Sequence, residues 1–216
     1  MVRSARTGFT RDELLRFHGA RVDDLIGPGL RLLFVGINPG LWTAAVNAHF
    51  ARPGNRFWPA LAAAGITPHQ VDARAGLSDA DRAVLADRGI GITNLVPMAT
   101  ATSAELTAAQ LRAGGERLRR TVAEHRPAVV AVLGVTAYRA AFGRRDAEVG
   151  RQTDAAPELG DTPLWVLPNP SGLNAHETVA SLAAAYREVA VVAGVPVGPV
   201  VAARTPAAEQ GASGTL

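Results

Sequence analysis

Four short, continuously apolar segments rich in β-branched residues recur along the chain. Each is bounded by glycine, proline or a charged residue, and they span Arg31–Val35, Gly89–Val96, Pro127–Leu133 and Pro163–Leu167. Uninterrupted apolar runs of this length are typical of strands buried on both faces, as in a parallel sheet. We therefore predict a central, mainly parallel sheet of about four strands.

The segments between these strands have helical periodicity. They are Asn55–Ala64, Asp79–Asp87, Ala113–His125 and Thr136–Phe142, and a last helix, His176–Val192, follows the fourth strand. An apolar stripe along that last helix indicates that one of its faces is buried. Because strands and helices alternate, we predict an α/β fold arranged as a three-layer α/β/α sandwich.

The length of 216 residues suits one such domain with short ends. We expect an N-terminal lead-in over residues 1–20 and one functional domain over residues 21–193. From residue 194 to 216 the chain is rich in Pro, Gly, Ala and Val without periodicity, and we expect a flexible C-terminal tail there.

Composition narrows the chemistry that is open to the chain. There are no cysteines, so disulfides, thiolate nucleophiles and cysteine-ligated metal centres are excluded, and the five histidines lack the spacing of a zinc motif. All 22 basic residues are arginine, so no lysine amine is available for a Schiff base. We expect no metal and no cofactor, and any cleavage of a glycosidic bond must use water as the nucleophile.

Charge and hydropathy say less about function. The net charge of +3 is only a weak indication of nucleic-acid binding, because the arginines are spread along the chain. Five arginines in or next to the third predicted helix are interpreted as a solvated face: Arg112, Arg117, Arg119, Arg120 and Arg126. Without an apolar run of roughly 18 residues or a signal-peptide core, we expect a cytoplasmic protein that makes no membrane contact.

Two asparagine–proline loops follow predicted strands, at Gly36–Leu41 and Pro168–Asn174. In open α/β sheets, ligands bind outside the carboxyl ends of the strands, so we expect the two loops to converge. Proline restricts the backbone of the preceding residue, here Asn38 or Asn169. Each loop taken alone is also compatible with an ordinary turn, and the second with helix caps at Ser171 and Asn174. Neither loop resembles a phosphate-binding glycine loop.

Four segments in consistent order resemble the mismatch-specific uracil-DNA glycosylases and the related thymine-DNA glycosylases. They are Gly36–Leu41 (GINPGL), His49–Trp58 (HFARPGNRFW), Gly91–Val96 (GITNLV) and Asn169–Leu173 (NPSGL). The resemblance implies a monofunctional enzyme that hydrolyses the N-glycosidic bond of uracil mispaired with guanine, with thymine and ethenocytosine as further candidate bases. The product would be an abasic site in base excision repair.

The resemblance also implies roles for individual residues. Asn38 would position the attacking water, Asn169 would donate to a carbonyl of the leaving base, and Phe50 would stack on the flipped base. The other implied pocket residues are Ile37, Gly40, Thr43, Thr93 and Asn94, with Thr43 at the C5 edge of the base. Leu173 would be the wedge that fills the space of the flipped nucleotide, next to guanine-recognising residues Ser171, Gly172 and Asn174.

The chain differs from other members of this family in ways that affect rate and DNA contact. An amide at Asn38 cannot accept a proton at neutral pH, and Asn169 stands where efficient uracil glycosylases have histidine, so the implied hydrolysis is slow. Ala175 and the segment Pro97–Ala99 stand where members often have arginine. At the position of Asn94 some members of the family have lysine, whereas the thymine-active branch has asparagine, as this chain does.

The implied partner is double-stranded DNA with a G·U or G·T mismatch, bound by a monomer. Two other functions stay open from the sequence. One is a protein that binds mismatches or abasic sites with little catalysis, which an assay of base release would separate from an enzyme. The other is an unrelated α/β nucleotide-binding enzyme, against which the absence of a phosphate loop argues.

Overall fold

The computed structural model describes residues 8–152 and 159–199, so most of the expected C-terminal tail lies outside the described residues. Within these ranges the strands are β1 (Leu32–Gly36), β2 (Ile90–Asn94), β3 (Val129–Leu133), β4 (Gly150–Arg151) and β5 (Leu164–Leu167). They form one sheet in the order β2-β1-β3-β5-β4. Four strands are parallel, as predicted, and the two-residue β4 is added antiparallel to β5 at the edge.

The described helices are α1 (Arg11–Leu15), α2 (Leu41–Val46), α3 (Phe57–Ala63), α4 (Asp79–Asp87), α5 (Ala108–His125), α6 (Val135–Phe142) and α7 (Val179–Val192). A short 3₁₀ helix spans Ser103–Glu105. The hydroxyl of Thr178 caps α7 by accepting from the Ser181 N–H, so neither Ser171 nor Asn174 caps this helix. Among the described residues, no helix combines the length and the apolar character that crossing a membrane requires.

Helices cover both faces of the sheet, which confirms the three-layer α/β/α sandwich. Side chains alternate along β1, so Leu32 and Phe34 join one buried cluster while Leu33 and Val35 join another. The first cluster contains the packed pair α3 and α7, and the second contains α5 and α6. Burial on both faces explains why the strands are continuously apolar.

The order of the strands places a crevice at the carboxyl edge of the sheet. From β1 the chain crosses to β2 on one side, and the next strand, β3, pairs with β1 on its other side. At such a switch in direction the connections leave the sheet on opposite faces, and the edge between them stays open for a ligand. The loop after β1 begins at this edge, and so does the loop after β5.

Candidate active site

A cavity of about 210 Å³ lies at the carboxyl edge of the four parallel strands. Its wall includes the last residues of three strands, Gly36, Asn94 and Leu133, together with Asn169 from the loop after β5. Sites for drug-sized ligands usually measure roughly 300–1,000 Å³. This smaller volume suits a ligand of about the size of one nucleobase.

Nine of the twelve residues predicted for the site line this cavity: Ile37, Asn38, Gly40, Thr43, Phe50, Asn94, Asn169, Ser171 and Leu173. Thr93, Gly172 and Asn174 do not line it. Successive side chains of a strand point to opposite faces, so Thr93 and Asn94 cannot both face one pocket. Asn94 lines the cavity, whereas Thr93 lies on the opposite face of β2.

Asn38 is held by the nitrogen of its side-chain amide. Its Nδ2 donates to Oγ1 of Thr100 at 2.7 Å, to the carbonyl of Pro39 at 3.1 Å and to the carbonyl of Met98 at 3.3 Å. Carbonyl oxygens only accept, so these neighbours decide which end of the amide is the nitrogen. The Oδ1 of Asn38 is thereby left as an acceptor in the cavity wall.

Asn169 is held by the opposite end of its amide. Its Oδ1 accepts from the backbone N–H of Ser171 at 2.9 Å, which closes a tight turn over Pro170. No acceptor among the described residues pairs with its Nδ2, which lies beside Gly134 at the start of α6. Asn169 therefore presents two N–H donors to the cavity, whereas Asn38 presents an acceptor to the same cavity.

Phe50 forms one flat wall of the cavity. Its ring stacks on Phe57 of α3, with ring centroids 4.1 Å apart and 24° between the planes. Its backbone φ of 55° lies in the left-handed region, which is uncommon for an aromatic residue and indicates a conformation imposed by the surroundings. A Cβ atom on Gly36 would lie 2.4 Å from Oδ1 of Asn94 and 3.2 Å from the edge of this ring, so glycine at the end of β1 allows both side chains to approach the strand.

Two buried polar residues, His49 and Asn94, line the cavity together with Phe50. His49 is 3% exposed, and its Nδ1 lies 3.2 Å from Nδ2 of Asn94. The other ring nitrogen, Nε2, lies 2.9 Å from the carbonyl oxygen of Asp23. Loss of hydration on burial lowers the pKa of His49. The side chain thus belongs to the site as a neutral ring.

On the far side of β2, Thr93 takes part in a second polar cluster. Its hydroxyl donates to the Asp24 carboxylate at 2.6 Å and accepts from the Arg117 guanidinium at 3.0 Å. Arg117 also pairs with Asp24 at 3.0 Å and donates to the backbone carbonyl of Asn94. The predicted solvated role of Arg117 was therefore wrong, because this arginine anchors the end of β2.

The loop from Asn169 to Asn174 carries the predicted wedge. Leu173 is 79% exposed and lines the cavity at its mouth. Arg56, the residue before α3, supports the loop through its guanidinium. The guanidinium donates to the carbonyls of Ser171 at 3.1 Å and Asn174 at 2.9 Å. Its backbone N–H donates to the carbonyl of Pro170. The exposed leucine is thus displayed on a firmly supported turn.

Gly172 and Asn174 stabilise the shape of this loop. A Cβ on Gly172 would lie 2.6 Å from the carbonyl oxygen of Gly54, so glycine allows the two loops to touch. The side chain of Asn174 donates to the carbonyl of Asn169 at 3.1 Å. Both residues fix the loop from which a wedge and its neighbours would meet DNA.

Two residues that the fold brings to the cavity, Thr100 and Arg52, were not among the predicted site residues. Thr100 holds Asn38 from a loop 62 residues away, and its own hydroxyl donates to the carbonyl of Thr102. Arg52 lies exposed at the cavity wall beside the Gly54–Gly172 contact. Thr100 lacks any local pattern, whereas Arg52 stands inside the HFARPGNRFW segment, whose resemblance to the family was a usable signal. The described residues contain no group of three or more acidic or histidine side chains placed to hold a metal ion.

This chain is similar to a known protein family and to a solved structure. The model of the uracil DNA glycosylase superfamily matches residues 24–190, a range that contains all the residues lining the cavity. The fold is also similar to a solution NMR structure of a Methanosarcina acetivorans protein provisionally named a uracil DNA glycosylase. The two chains share 14% identity, with 80% of this chain and 98% of that chain covered and a TM-score of 0.49.

Proposed function

Because the chain belongs to the uracil DNA glycosylase superfamily, we propose that it hydrolyses the N-glycosidic bond of uracil in double-stranded DNA, preferring uracil mispaired with guanine. The observation that carries the proposal is the opposite polarity of two asparagine amides, Asn38 and Asn169, around one cavity of the size of a base. Cleavage of this bond develops positive charge on the sugar and negative charge on the departing base. The reaction therefore requires a hydrogen-bond acceptor near the sugar and hydrogen-bond donors near the departing base.

Asn38 supplies the acceptor. With its nitrogen engaged by three oxygens, its Oδ1 accepts a hydrogen bond from water and directs the water oxygen towards C1′ of the sugar. The C1′–N1 bond breaks with its electron pair going to the base, the water oxygen bonds to C1′, and the proton of the water passes to solvent. An amide does not take that proton at neutral pH, so Asn38 positions the nucleophile without acting as a base.

Asn169 supplies the donors. Its Nδ2 hydrogens meet a carbonyl oxygen of the base, where negative charge grows as the bond breaks. A neutral amide stabilises an anion less than a charged donor does. Together with the uncharged Asn38, this predicts a slow enzyme that favours bases that flip or leave easily.

The rest of the cavity suits a flipped pyrimidine. The ring of Phe50, backed by Phe57, offers a flat surface for stacking, and the exposed Leu173 is placed to fill the gap left in the duplex. A mismatched base costs less to flip than a paired one, which favours G·U over A·U. Thr43 lines the cavity as a small residue, which supports thymine as a secondary substrate.

The test is a panel of single-turnover assays with the purified protein and duplexes carrying uracil or thymine, each opposite guanine and opposite adenine. We expect release of uracil from G·U to be fastest, thymine from G·T to be slower, and uracil from A·U to be slower than from G·U. Absence of base release from every duplex, combined with tight binding of an abasic-site duplex, would favour a DNA-binding protein with little catalysis. Equal rates for G·U and A·U would contradict the mismatch preference alone.

A further inference from the structure

His49 makes hydrogen bonds through both ring nitrogens at the back of the cavity. Nε2 lies 2.9 Å from the carbonyl oxygen of Asp23, and Nδ1 lies 3.2 Å from Nδ2 of Asn94. The side chain is buried. A buried histidine between two fixed partners has its protonation pattern set by those partners.

Asp23 decides which nitrogen of the ring carries the hydrogen. A backbone carbonyl only accepts, so Nε2 must be the donor, and in a neutral ring Nδ1 is then an acceptor. Burial lowers the pKa of His49 and so keeps the ring neutral at neutral pH. Of the charged groups that act on it, Asp24 favours the protonated form, whereas Arg117 and Arg82 oppose it.

The acceptor at Nδ1 fixes the orientation of the Asn94 amide. Nδ2 of Asn94 turns to His49, and Oδ1 lies over Gly36 in the cavity wall, where a Cβ on residue 36 would come within 2.4 Å of it. No donor from the described part of the chain pairs with this Oδ1. Asn94 therefore offers the cavity an acceptor and one remaining N–H donor, in a defined arrangement.

The backbone of Asn94 is fixed separately. Arg117 donates to its carbonyl oxygen and is itself held by Asp24 and Thr93. Because the main chain is anchored from the opposite face of the sheet, a change at His49 acts on the rotation of the amide and leaves the strand in place. Substitution of His49 should therefore alter the rotation of the Asn94 amide without altering the position of the Asn94 main chain.

We infer that His49 is a positioning residue that sets the polarity of the Asn94 amide and thereby selects uracil and thymine against cytosine. This inference rests on the proposed function and names the base class of that site. In uracil and thymine, N3–H is a donor between two carbonyl acceptors, which matches Oδ1 and the free N–H of Asn94. In cytosine, N3 is an acceptor next to an amino donor, so the amide would have to rotate and place its oxygen against the lone pair of His49 Nδ1.

The main test compares the wild type with two variants, His49→Phe and His49→Asn. Phenylalanine keeps a ring but offers no acceptor, whereas the amide oxygen of asparagine can accept from Asn94 near the position of Nδ1. The readout is the ratio of dissociation constants for duplexes that carry non-cleavable 2′-fluoro-deoxyuridine or 2′-fluoro-deoxycytidine opposite thymine, a partner that forms a mismatch with both. We expect the preference for uracil to fall about tenfold or more in His49→Phe and to be largely restored in His49→Asn.

A preference in His49→Phe equal to that of the wild type would overturn the inference. The binding ratio is measured without any base release, so this outcome is distinguishable from failure of the proposed function, which would be seen as no release by the wild type. A loss of uracil and cytosine binding in equal proportion would assign His49 a purely structural role and also overturn it.

A second measurement needs no variant. Long-range ¹H–¹⁵N correlation spectra of the wild type identify the tautomer of each histidine ring, and one reference spectrum of His49→Asn assigns the signal. If that variant does not fold, selective labelling with residue-specific assignment replaces it. We expect His49 to be neutral at pH 7 with the hydrogen on Nε2, and a hydrogen on Nδ1 would overturn the inference.

Discussion

Asn38 and Asn169 line one cavity and are held by opposite ends of their side-chain amides. Asn38 is fixed through Nδ2, on Thr100 and two carbonyls, and Asn169 is fixed through Oδ1, on the N–H of Ser171. The same residue type therefore presents an acceptor at one wall and donors at another. Neighbouring backbone groups and the hydroxyl of Thr100 create this difference, with no charged group of the described residues taking part. The two loops are therefore alike in sequence yet unlike in chemistry.

The role of Asn169 predicts an effect that depends on the leaving base. Removing one donor to a developing anion usually lowers the rate by about 10²–10³-fold, and we expect this loss for uracil in Asn169→Ala. Fluorine at C5 stabilises the anion of the base, so 5-fluorouracil needs the donor less and the loss should be smaller. Single-turnover rates for the two bases opposite guanine measure this difference.

Asn174→Ala is the control for that experiment, because Asn174 braces the same loop without lining the cavity. Asn174→Ala should slow the release of uracil and of 5-fluorouracil by similar factors, which should be smaller than the loss for uracil in Asn169→Ala. If Asn169→Ala slowed uracil and 5-fluorouracil equally, a role for Asn169 on the leaving base would be untenable.

Leu173 is predicted to act on flipping without contributing to folding. Its side chain is 79% exposed, so Leu173→Ala should change the free energy of unfolding by no more than about 0.5 kcal/mol. Release of uracil should fall by about tenfold from A·U pairs and by less from G·U, since the mismatched base flips more easily. Urea unfolding and single-turnover assays check both parts.

Val149→Ala truncates another exposed apolar side chain, one that does not line the cavity, and should leave the rates unchanged. An unaltered rate on both substrates in Leu173→Ala would remove the wedge from the mechanism.

Arg52 is predicted to contact a DNA phosphate. Its guanidinium is exposed at the cavity wall, beside the loop that carries Leu173, and makes no ion pair within the described residues. Each phosphate contact contributes roughly 0.9 to the slope of log Kd against log salt concentration. Arg52→Gln should lower that slope by about this amount and weaken binding of matched and mismatched duplexes alike.

The matched control is Arg126→Gln, because Arg126 lies after α5 and near the start of β3, at the other edge of the sheet. This variant should keep the slope of the wild type. The assignment of Arg52 fails if both variants have the same salt dependence.

The lowered pKa of His49 predicts a loss of stability in mild acid. Below the ordinary histidine pKa of about 6.5, the unfolded chain takes up a proton at residue 49 that the folded chain refuses. Stability therefore falls as the pH drops from about 6.5 towards the folded pKa, by up to about 1.4 kcal/mol per pH unit. Urea unfolding between pH 7.5 and 5.5 should show this slope in the wild type and a shallower one in His49→Asn.

The fold was predictable from the sequence wherever burial was uniform. Three of the four parallel strands lie within a predicted apolar run, and β1 extends beyond its run only by Gly36, since both faces of these strands are covered. Strand β4 has two residues, Gly150 and Arg151, and carries no such run. Helix α2, with six residues, is too short to show a period, and its first residue, Leu41, lay in the segment interpreted as a loop.

The candidate site was predictable where it depends on local sequence. Asn38 and Asn169 each stand two residues after the end of a strand, so their positions at the sheet edge followed from the strand pattern. The partners that orient site residues come from distant parts of the chain, as Thr100 does for Asn38 and Asp24 for Arg117. Nothing in the local sequence pattern indicates such pairs. Which of Thr93 and Asn94 lines the cavity depended on how the single strand β2 is placed in the sheet.

In the proposed mechanism, Asn38 has the central role because it holds the attacking water. The decisive measurement is the single-turnover release of uracil from a G·U duplex by the wild type, Asn38→Ala and Thr100→Val at equal saturation with DNA. We predict slow but complete release by the wild type, a loss of about 10²-fold or more in Asn38→Ala, and a loss of about tenfold in Thr100→Val, which removes one of the three acceptors of the Asn38 amide. Release by Asn38→Ala at the rate of the wild type would contradict a role for Asn38 in holding the attacking water.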